Sequence, residues 1–194
     1  MQNFLPYSDF HKSASCLDNR RLVKQNLETT QCLAALCSFS QGWRNHPAVK
    51  AWVGHIPALI EYGLAINAEC IKRGYKDNSA KYQRFSDYCE QNKLIKDYPT
   101  WLGNEDFHSS HRSRLLAKGL IDSICSVLKK KLKIKKLDNW TKKYFNKTKN
   151  ELRFEDSHKL HDLAREQAGP FNINNHYSQF NWTDDPSKPY IWPN

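Results

Sequence analysis

Apolar residues recur at helical spacing along most of the chain, whereas alternating apolar and polar runs are scarce. Neither a hairpin dipeptide between such runs nor a β-branched run is present, so the pattern favours α-helices over strands. It predicts helices over 13–39, from Pro57 to a stop at Gly74, over 81–90, from about Asp106 towards a lysine cluster, and over 151–167. The predicted fold class is therefore all-α.

The helix predicted over 13–39 has two different faces. Its apolar face is predicted to carry Cys16, Val23, Leu27, Thr30, Ala34 and Cys37. Because successive helical residues are rotated by about 100°, the opposite sector collects charged and amide side chains. That sector contains Arg21, Lys24, Gln25 and Glu28, next to Asp18.

The simplest interpretation of this charged sector is an exposed helix face with an ion pair between Lys24 and Glu28, worth a few tenths of a kcal/mol. Two neighbouring segments favour a functional interpretation. An apolar N-terminal stretch, 4–7, can pin the start of the chain beside the helix. The turn at 42–47 supplies Trp43, Arg44, Asn45 and His46 at a helix boundary.

Length and composition indicate one folded domain. The chain has 194 residues, of which 39% are hydrophobic and 26% charged, as is typical of globular proteins. We expect a single domain over 1–194, with 176–194 as an extended aromatic tail rich in proline. No long apolar run and no secretory signal is evident, so a cytoplasmic protein without membrane contact is expected.

The net charge of +10 is concentrated in one segment, where eleven lysines and two acidic residues lie between Lys118 and Asn150. Apolar residues among these lysines predict a basic helix within an insert over 119–175. Trp140, Tyr144 and Phe145 follow. Lysines neutralise phosphates and aromatic rings stack on bases, so double-stranded DNA is the expected partner. A solvated lysine face whose aromatics dock into the core is the alternative.

Cysteine and histidine spacing gives little support for a metal site. Six cysteines include no Cys-x-x-Cys pair, which favours buried free thiols. Two histidine pairs have a spacing of three, but neither has a Glu or Cys at motif spacing. We therefore predict no metal and no other cofactor, and infer no obligate protein partner. The pairs are His108 with His111 and His158 with His161.

Several ordered motifs resemble the pyrimidine-dimer DNA glycosylase family, of the phage endonuclease V type, and its bacterial branch most closely. The resemblance covers residues 1–118 and 176–193, and the lysine-rich insert lies outside it. The motifs are LDNRRLVKQNLETTQCL, GWRNHPAV, AECIKRGY, FHSSHRSRLL, HYSQF and PYIWP.

The resemblance implies a compact, single-domain, all-α enzyme that bends DNA, flips a nucleotide out and cuts the base–sugar bond. Extrusion of a base costs a few kcal/mol, which phosphate contacts and a shaped pocket must offset. Trp43, Trp52 and Trp101 are candidate wedges or pocket walls. Predicted DNA contacts are Arg20, Arg44, His108, Ser110, His111, Arg112, Arg114, Lys129, Lys130 and Lys131, and predicted base contacts are Gln25, Trp43, Asn45 and His46.

Cleavage passes through an oxocarbenium-like sugar that a carboxylate stabilises, by analogy with glycosidases. Glu28 is the first candidate because cations share its face, and Asp18 is the second, with Lys24 and Arg21 beside them. In the family's archetype, an α-amine exposed by removal of the initiator Met attacks the sugar with help from a glutamate. Here Gln2 is bulky, so retention of Met1 is expected, and Arg21 aligns with that glutamate. We therefore predict that water is the nucleophile and that an abasic site remains.

The substrate predicted from these features is a damaged or modified pyrimidine. Ultraviolet dimers and a hypermodified phage cytosine, such as glucosylated hydroxymethylcytosine, both fit, and the second would make the enzyme a defence factor. Two alternatives remain open: a non-catalytic lysine-rich DNA-binding module, and a metal-dependent nuclease that uses the histidine pairs.

Overall fold

The computed structural model describes residues 1–132, 176–185 and 188–193, and these residues contain helices and no strand. The predicted all-α class is thus confirmed. No helix in this part of the chain has the length and apolar character needed to cross a membrane. The helices are α1 (Phe10–Cys16), α2 (Asn19–Leu36), α3 (Pro47–Lys50), α4 (Ile56–Lys72), α5 (Ser79–Gln91) and α6 (Glu105–Leu132), followed by a 3₁₀-helix at His176–Phe180.

The chain divides into two compact units, and the boundary falls within α6. One unit comprises Met1–His111 with Ile191–Asn194, and the other comprises Arg112–Tyr190. The helix predicted over 151–167 and most of the insert predicted over 119–175 lie outside the described residues. The single-domain organisation over 1–194 stays a prediction.

The prediction of a single helix over 13–39 is wrong, because Leu17 and Asp18 interrupt the helix and separate α1 from α2. Asp18 adopts an extended conformation and its carboxylate accepts the Arg21 N–H, so it caps the start of α2. Arg73, the C-cap residue of α4, then satisfies carbonyl groups at the end of α1, donating to Leu17 O at 2.6 Å and Ser15 O at 2.9 Å. Apolar spacing that continued across the break concealed it.

The predicted apolar face of this segment is also wrong in part. Val23 and Leu27 are 44% and 55% exposed. Helix α2 instead buries a mixed face made of Leu22, Gln25, Asn26, Thr29, Cys32 and Leu33. Its polar members are tolerated in the core because they are hydrogen-bonded: Asn26 Nδ2 donates to Asn67 Oδ1 at 3.2 Å.

The three helices predicted between Pro57 and the lysine cluster are confirmed. Helix α4 begins with Pro57 in its first turn and ends just before Gly74, whose φ of +80° suits glycine. Helices α5 and α6 match the predictions over 81–90 and from Asp106 onward within a few residues.

Aromatic rings form the centre of the first unit. The Trp52 ring stacks on Tyr62 at 6.2 Å and meets Trp101 edge-on at 5.0 Å. Trp52 is 1% exposed, and the Trp101 indole N–H donates to Ala51 O. These two tryptophans therefore pack the core, which corrects their assignment as candidate wedges or pocket walls.

The predicted buried free thiols are confirmed for five of the six cysteines: Cys16, Cys32, Cys37, Cys70 and Cys89. Burial raises the pKa of Cys16 to about 11 and that of Cys32 to about 12. These two thiols stay protonated at neutral pH and are poor nucleophiles.

Candidate active site

The N-terminal segment Met1–Leu5 has no regular secondary structure, and side chains of three helices hold its backbone. Gln25 Oε1 of α2 accepts the Phe4 N–H at 2.9 Å. The Tyr62 hydroxyl of α4 donates to Phe4 O at 2.9 Å. His111 Nδ1 of α6 accepts the Leu5 N–H at 2.9 Å. The segment is thereby fixed along the inner face of α2.

Three residues predicted to contact DNA are buried in α6 instead. Two of them hold the N-terminal segment, whereas the Ser110 hydroxyl donates to Phe107 O and accepts the Ile191 N–H. His108, Ser110 and His111 are buried. His108 Nε2 accepts the Gly103 N–H at 2.9 Å, so its Nδ1 carries the proton and donates to Leu5 O at 2.7 Å. Both ring nitrogens of His108 and Nδ1 of His111 thus bind backbone groups, and a phosphate contact through them would require the core to open.

Burial of His111 predicts a pH-dependent stability. Burial, reinforced by His108, lowers the pKa of His111 well below 6.5. Below about pH 6.5 the unfolded chain therefore binds a proton that the folded chain does not, so stability falls by up to about 1.4 kcal/mol per pH unit. We expect urea unfolding between pH 7.5 and 5 to show a shallower pH slope for His111→Asn than for the unchanged protein.

The matched control for this experiment is His11→Asn, since His11 is exposed. It should keep the pH slope of the unchanged protein. Equal slopes for His111→Asn and the unchanged protein would contradict the assignment of the buried proton site.

The Glu28 carboxylate lies at the start of the N-terminal segment. Its Oε2 accepts the Gln2 N–H at 3.2 Å, and its Oε1 lies 3.8 Å from the Met1 α-nitrogen and 3.6 Å from Lys24 Nζ. The side chain is 13% exposed. A half-enclosed carboxylate with an N–H donor and two cations is held in one orientation and can stabilise a developing positive charge.

The other proposed carboxylate is remote from Glu28. Asp18 accepts the Arg21 N–H at 2.9 Å and also pairs with the Arg21 guanidinium. Ten residues of helix separate it from Glu28, which is about 15 Å along the axis. The four predicted catalytic residues thus form two separate ion pairs, and Asp18 cannot act with Glu28 on one sugar.

The turn before α3 brings an imidazole and an indole into the same unit. His46 caps α3, with its Nδ1 accepting the Ala48 N–H at 3.1 Å. Burial lowers the pKa of His46; the Met1 ammonium acts in the same direction and Glu28 opposes it. The His46 ring therefore lies within the electrostatic reach of the Glu28 site.

Two indole rings flank this imidazole in near-perpendicular contacts. The Trp43 ring lies 5.6 Å from that of His46, and the Trp192 ring lies 5.7 Å from it. The sequence motif PYIWP contained Trp192, but its spacing gave no sign of a contact with His46. Asn45 of the same turn is exposed, whereas Gln25 is buried beneath the N-terminal segment.

The predicted DNA-contacting cations occupy different environments. Arg20, Lys24 and Arg44 are exposed in the first unit. In the second unit, Arg112 forms a two-pronged ion pair with Asp184 at 2.7 and 3.0 Å, and Arg114 is half-buried. Lys129, Lys130 and Lys131 belong to the end of α6, where the structure describes no side chains.

The described residues of the first unit therefore combine an oriented carboxylate, an imidazole fixed in place as a helix cap, and exposed cations. This set suits acid–base or charge-stabilising chemistry on a polyanion. No group of three or more potential metal ligands occurs among the residues that the structure describes. His158 and His161 lie outside them.

Comparison with known proteins gives one match. The family described as pyrimidine dimer DNA glycosylase matches residues 1–83, a range that includes Glu28, Trp43 and His46. No curated protein and no solved structure matches.

Proposed function

Residues 1–83 belong to the pyrimidine dimer DNA glycosylase family, and on this premise we propose that the protein is a DNA glycosylase that excises a damaged or modified pyrimidine. The bacterial branch of the family is part of the same proposal. So is a cytoplasmic location, where cellular or phage DNA is accessible.

The observation that carries the proposal is the environment of Glu28. A Gln2 N–H and Lys24 orient the carboxylate, and His46 with its indole neighbours lies in the same compact unit. A duplex conceals both the base and its sugar, so a glycosylase needs such groups where an extruded nucleotide can reach them.

In the proposed reaction, the bond between the sugar C1′ and the base nitrogen breaks, and the base keeps the electron pair. Glu28 stabilises the resulting oxocarbenium-like sugar and accepts a proton from the attacking water. The departing base takes up a proton from solvent, Glu28 returns to solvent the proton that it accepted from water, and an abasic site remains. Because Glu28 also contacts the Met1 ammonium, an attack by that amine is the alternative that the experiment must test.

The proposed DNA contacts are the exposed cations Arg20, Lys24 and Arg44, together with the lysine-rich segment that includes Lys129, Lys130 and Lys131. These groups neutralise phosphates without reading sequence. Arg112 and Arg114 stay in the proposal as contacts of the second unit, while Asn45 contacts the extruded base.

Two substrates are proposed: ultraviolet pyrimidine dimers and glucosylated hydroxymethylcytosine of phage DNA, the latter in antiphage defence. The test incubates the protein, in EDTA, with unmodified, irradiated and phage-modified duplexes. Free bases are quantified by chromatography, after photoreversal in the case of the irradiated duplex, because a cut dimer keeps its base joined to the neighbouring pyrimidine through the cyclobutane ring. Strands are analysed before and after alkali.

We expect free base from one modified substrate and strand breaks only after alkali. An adduct trapped by borohydride would assign the attack to an amine, and the Met1 amine is the group to map first. Salt-dependent binding without base release would instead identify a DNA-binding module. Direct breaks that EDTA suppresses would identify a metal-dependent nuclease.

A further inference from the structure

The hydrogen-bond pattern of His46 determines its tautomer. A backbone N–H can only donate, so Nδ1, which accepts from Ala48 N–H, carries no proton. The proton of the neutral ring is therefore on Nε2. Protonation of Nδ1 would break the cap of α3, and burial lowers the pKa of His46. The residue thus offers a neutral N–H donor in a fixed orientation.

The surroundings of this donor are aromatic and partly open. Trp43 is 53% exposed and has a φ of +67°, a left-handed conformation that costs a non-glycine residue about 1–2 kcal/mol. A hydrogen bond from His46 N–H to Trp43 O at 2.8 Å maintains it. Strain that presents a large apolar ring to solvent does not serve core packing, and such strain is typical of binding sites.

Trp192 reaches the same imidazole from the far end of the chain. The Ile191 N–H donates to Ser110 Oγ at 3.2 Å, which anchors this part of the tail on α6. The two indole planes make angles of 75° and 81° with the imidazole plane. A base that accepts a hydrogen bond from Nε2 can rotate about that bond until its face meets an indole ring.

We propose that His46 Nε2–H, with Trp43 and Trp192 beside it, forms the receptor for the extruded base and donates a hydrogen bond to the pyrimidine O2. This inference rests on the proposed function. When the glycosidic bond breaks, the electron pair left on N1 delocalises onto O2, so a donor there stabilises the leaving base. His46 transfers no proton in this step, and Trp192 is assigned a base-binding role.

The first test compares His46→Asn with His55→Asn. Asparagine is a good N-cap, so His46→Asn keeps the cap of α3 but lacks the Nε2–H donor at its position. We expect its single-turnover base release to fall about a hundredfold with DNA affinity within about threefold of the unchanged protein. His55, at the N-cap of α4 with no capping hydrogen bond, should tolerate the change. Base release by His46→Asn at the full rate would overturn the proposal.

A second measurement does not depend on turnover or on the folding of one variant. Tryptophan fluorescence is titrated with a duplex that carries a bulged pyrimidine. We expect the duplex to quench the fluorescence of the unchanged protein. The apparent affinity obtained from this titration should be about tenfold lower for Trp192→Ala and largely retained for Trp192→Phe. Absence of quenching in the unchanged protein, or identical quenching in Trp192→Ala, would overturn the receptor.

These two measurements also separate the inference from the function on which it rests. If the unchanged protein releases base and His46→Asn does so equally fast, the inference fails and the glycosylase stands. If no substrate yields free base, the glycosylase fails, and fluorescence alone decides whether the pocket binds a pyrimidine.

Discussion

The Glu28→Gln variant is expected to bind its DNA substrate normally and to lose at least about a hundredfold in base release. Glutamine preserves the size of the side chain and can still accept the Gln2 N–H that Glu28 Oε2 accepts at 3.2 Å. It cannot supply the negative charge that stabilises an oxocarbenium-like sugar, nor remove a proton from water. Single-turnover formation of alkali-labile abasic sites, followed by strand analysis, measures the loss.

Binding and fold are controlled separately in this experiment. Fluorescence anisotropy at matched salt concentrations should give the same affinity and the same salt slope for both proteins, because Glu28 lies among cations rather than on a phosphate. Glu90→Gln, which neutralises an exposed carboxylate on α5, should retain the full rate. A Glu28→Gln protein that releases base at the full rate would refute the catalytic assignment.

The Gly63→Ala variant is expected to be destabilised by about 2 kcal/mol, although alanine is normally the better helix former. A Cβ atom at Gly63 would clash with Tyr82 Cε1 and would lie 2.8 Å from Tyr82 Cζ. The Tyr82 ring cannot retreat easily, because it is fully buried and its hydroxyl donates to Asn26 Oδ1 at 2.7 Å. Urea unfolding monitored by circular dichroism gives the free energy of unfolding.

Gly42→Ala is the matched control, since the nearest atom to its added Cβ is Ser40 Oγ at 3.6 Å. Its stability should change by no more than about 0.5 kcal/mol. Tyr82→Leu combined with Gly63→Ala should cost less than the sum of the single changes, because the smaller side chain relieves the clash. A Gly63→Ala protein as stable as the unchanged one would show that α4 and α5 separate at little cost.

Apolar spacing and helix-end signals predicted the bounds of α4, α5 and α6 well, but they failed for the first predicted helix, over 13–39. Pro57 and Gly74 marked the ends of α4 because proline fixes φ at a value that suits the first turn, and glycine readily adopts the positive φ that ends a helix. Asp18 is also a capping residue, yet its signal was outweighed by helical spacing on both sides of it. The hydrogen bonds from Arg73 that satisfy the end of α1 come from 56 residues away, and no local pattern contains them.

The candidate site shows the same division. Glu28 and Lys24 are one helical turn apart, so their ion pair followed from spacing. The same rule placed Gln25 on the exposed face, whereas it is buried because the Phe4 N–H gives its amide oxygen a partner. A phosphate-binding role for His108 and His111 followed from their position near a predicted helix start and from the family resemblance. Their burial beneath Leu5 depends on contacts that span more than 100 residues.

The sequence by itself determined the helical class and the concentration of positive charge. It also predicted the family resemblance and the candidate site residues Glu28, Trp43 and His46. These depend on periodicity, composition and short-range spacing, which the chain carries wherever it folds. Only the tertiary structure decided that the N-terminal segment lies against Glu28, that Trp192 meets His46, and that Trp52 and Trp101 are core residues. Burial and long-range hydrogen bonds are satisfied by partners distant in the chain, so they exist only once the chain has folded.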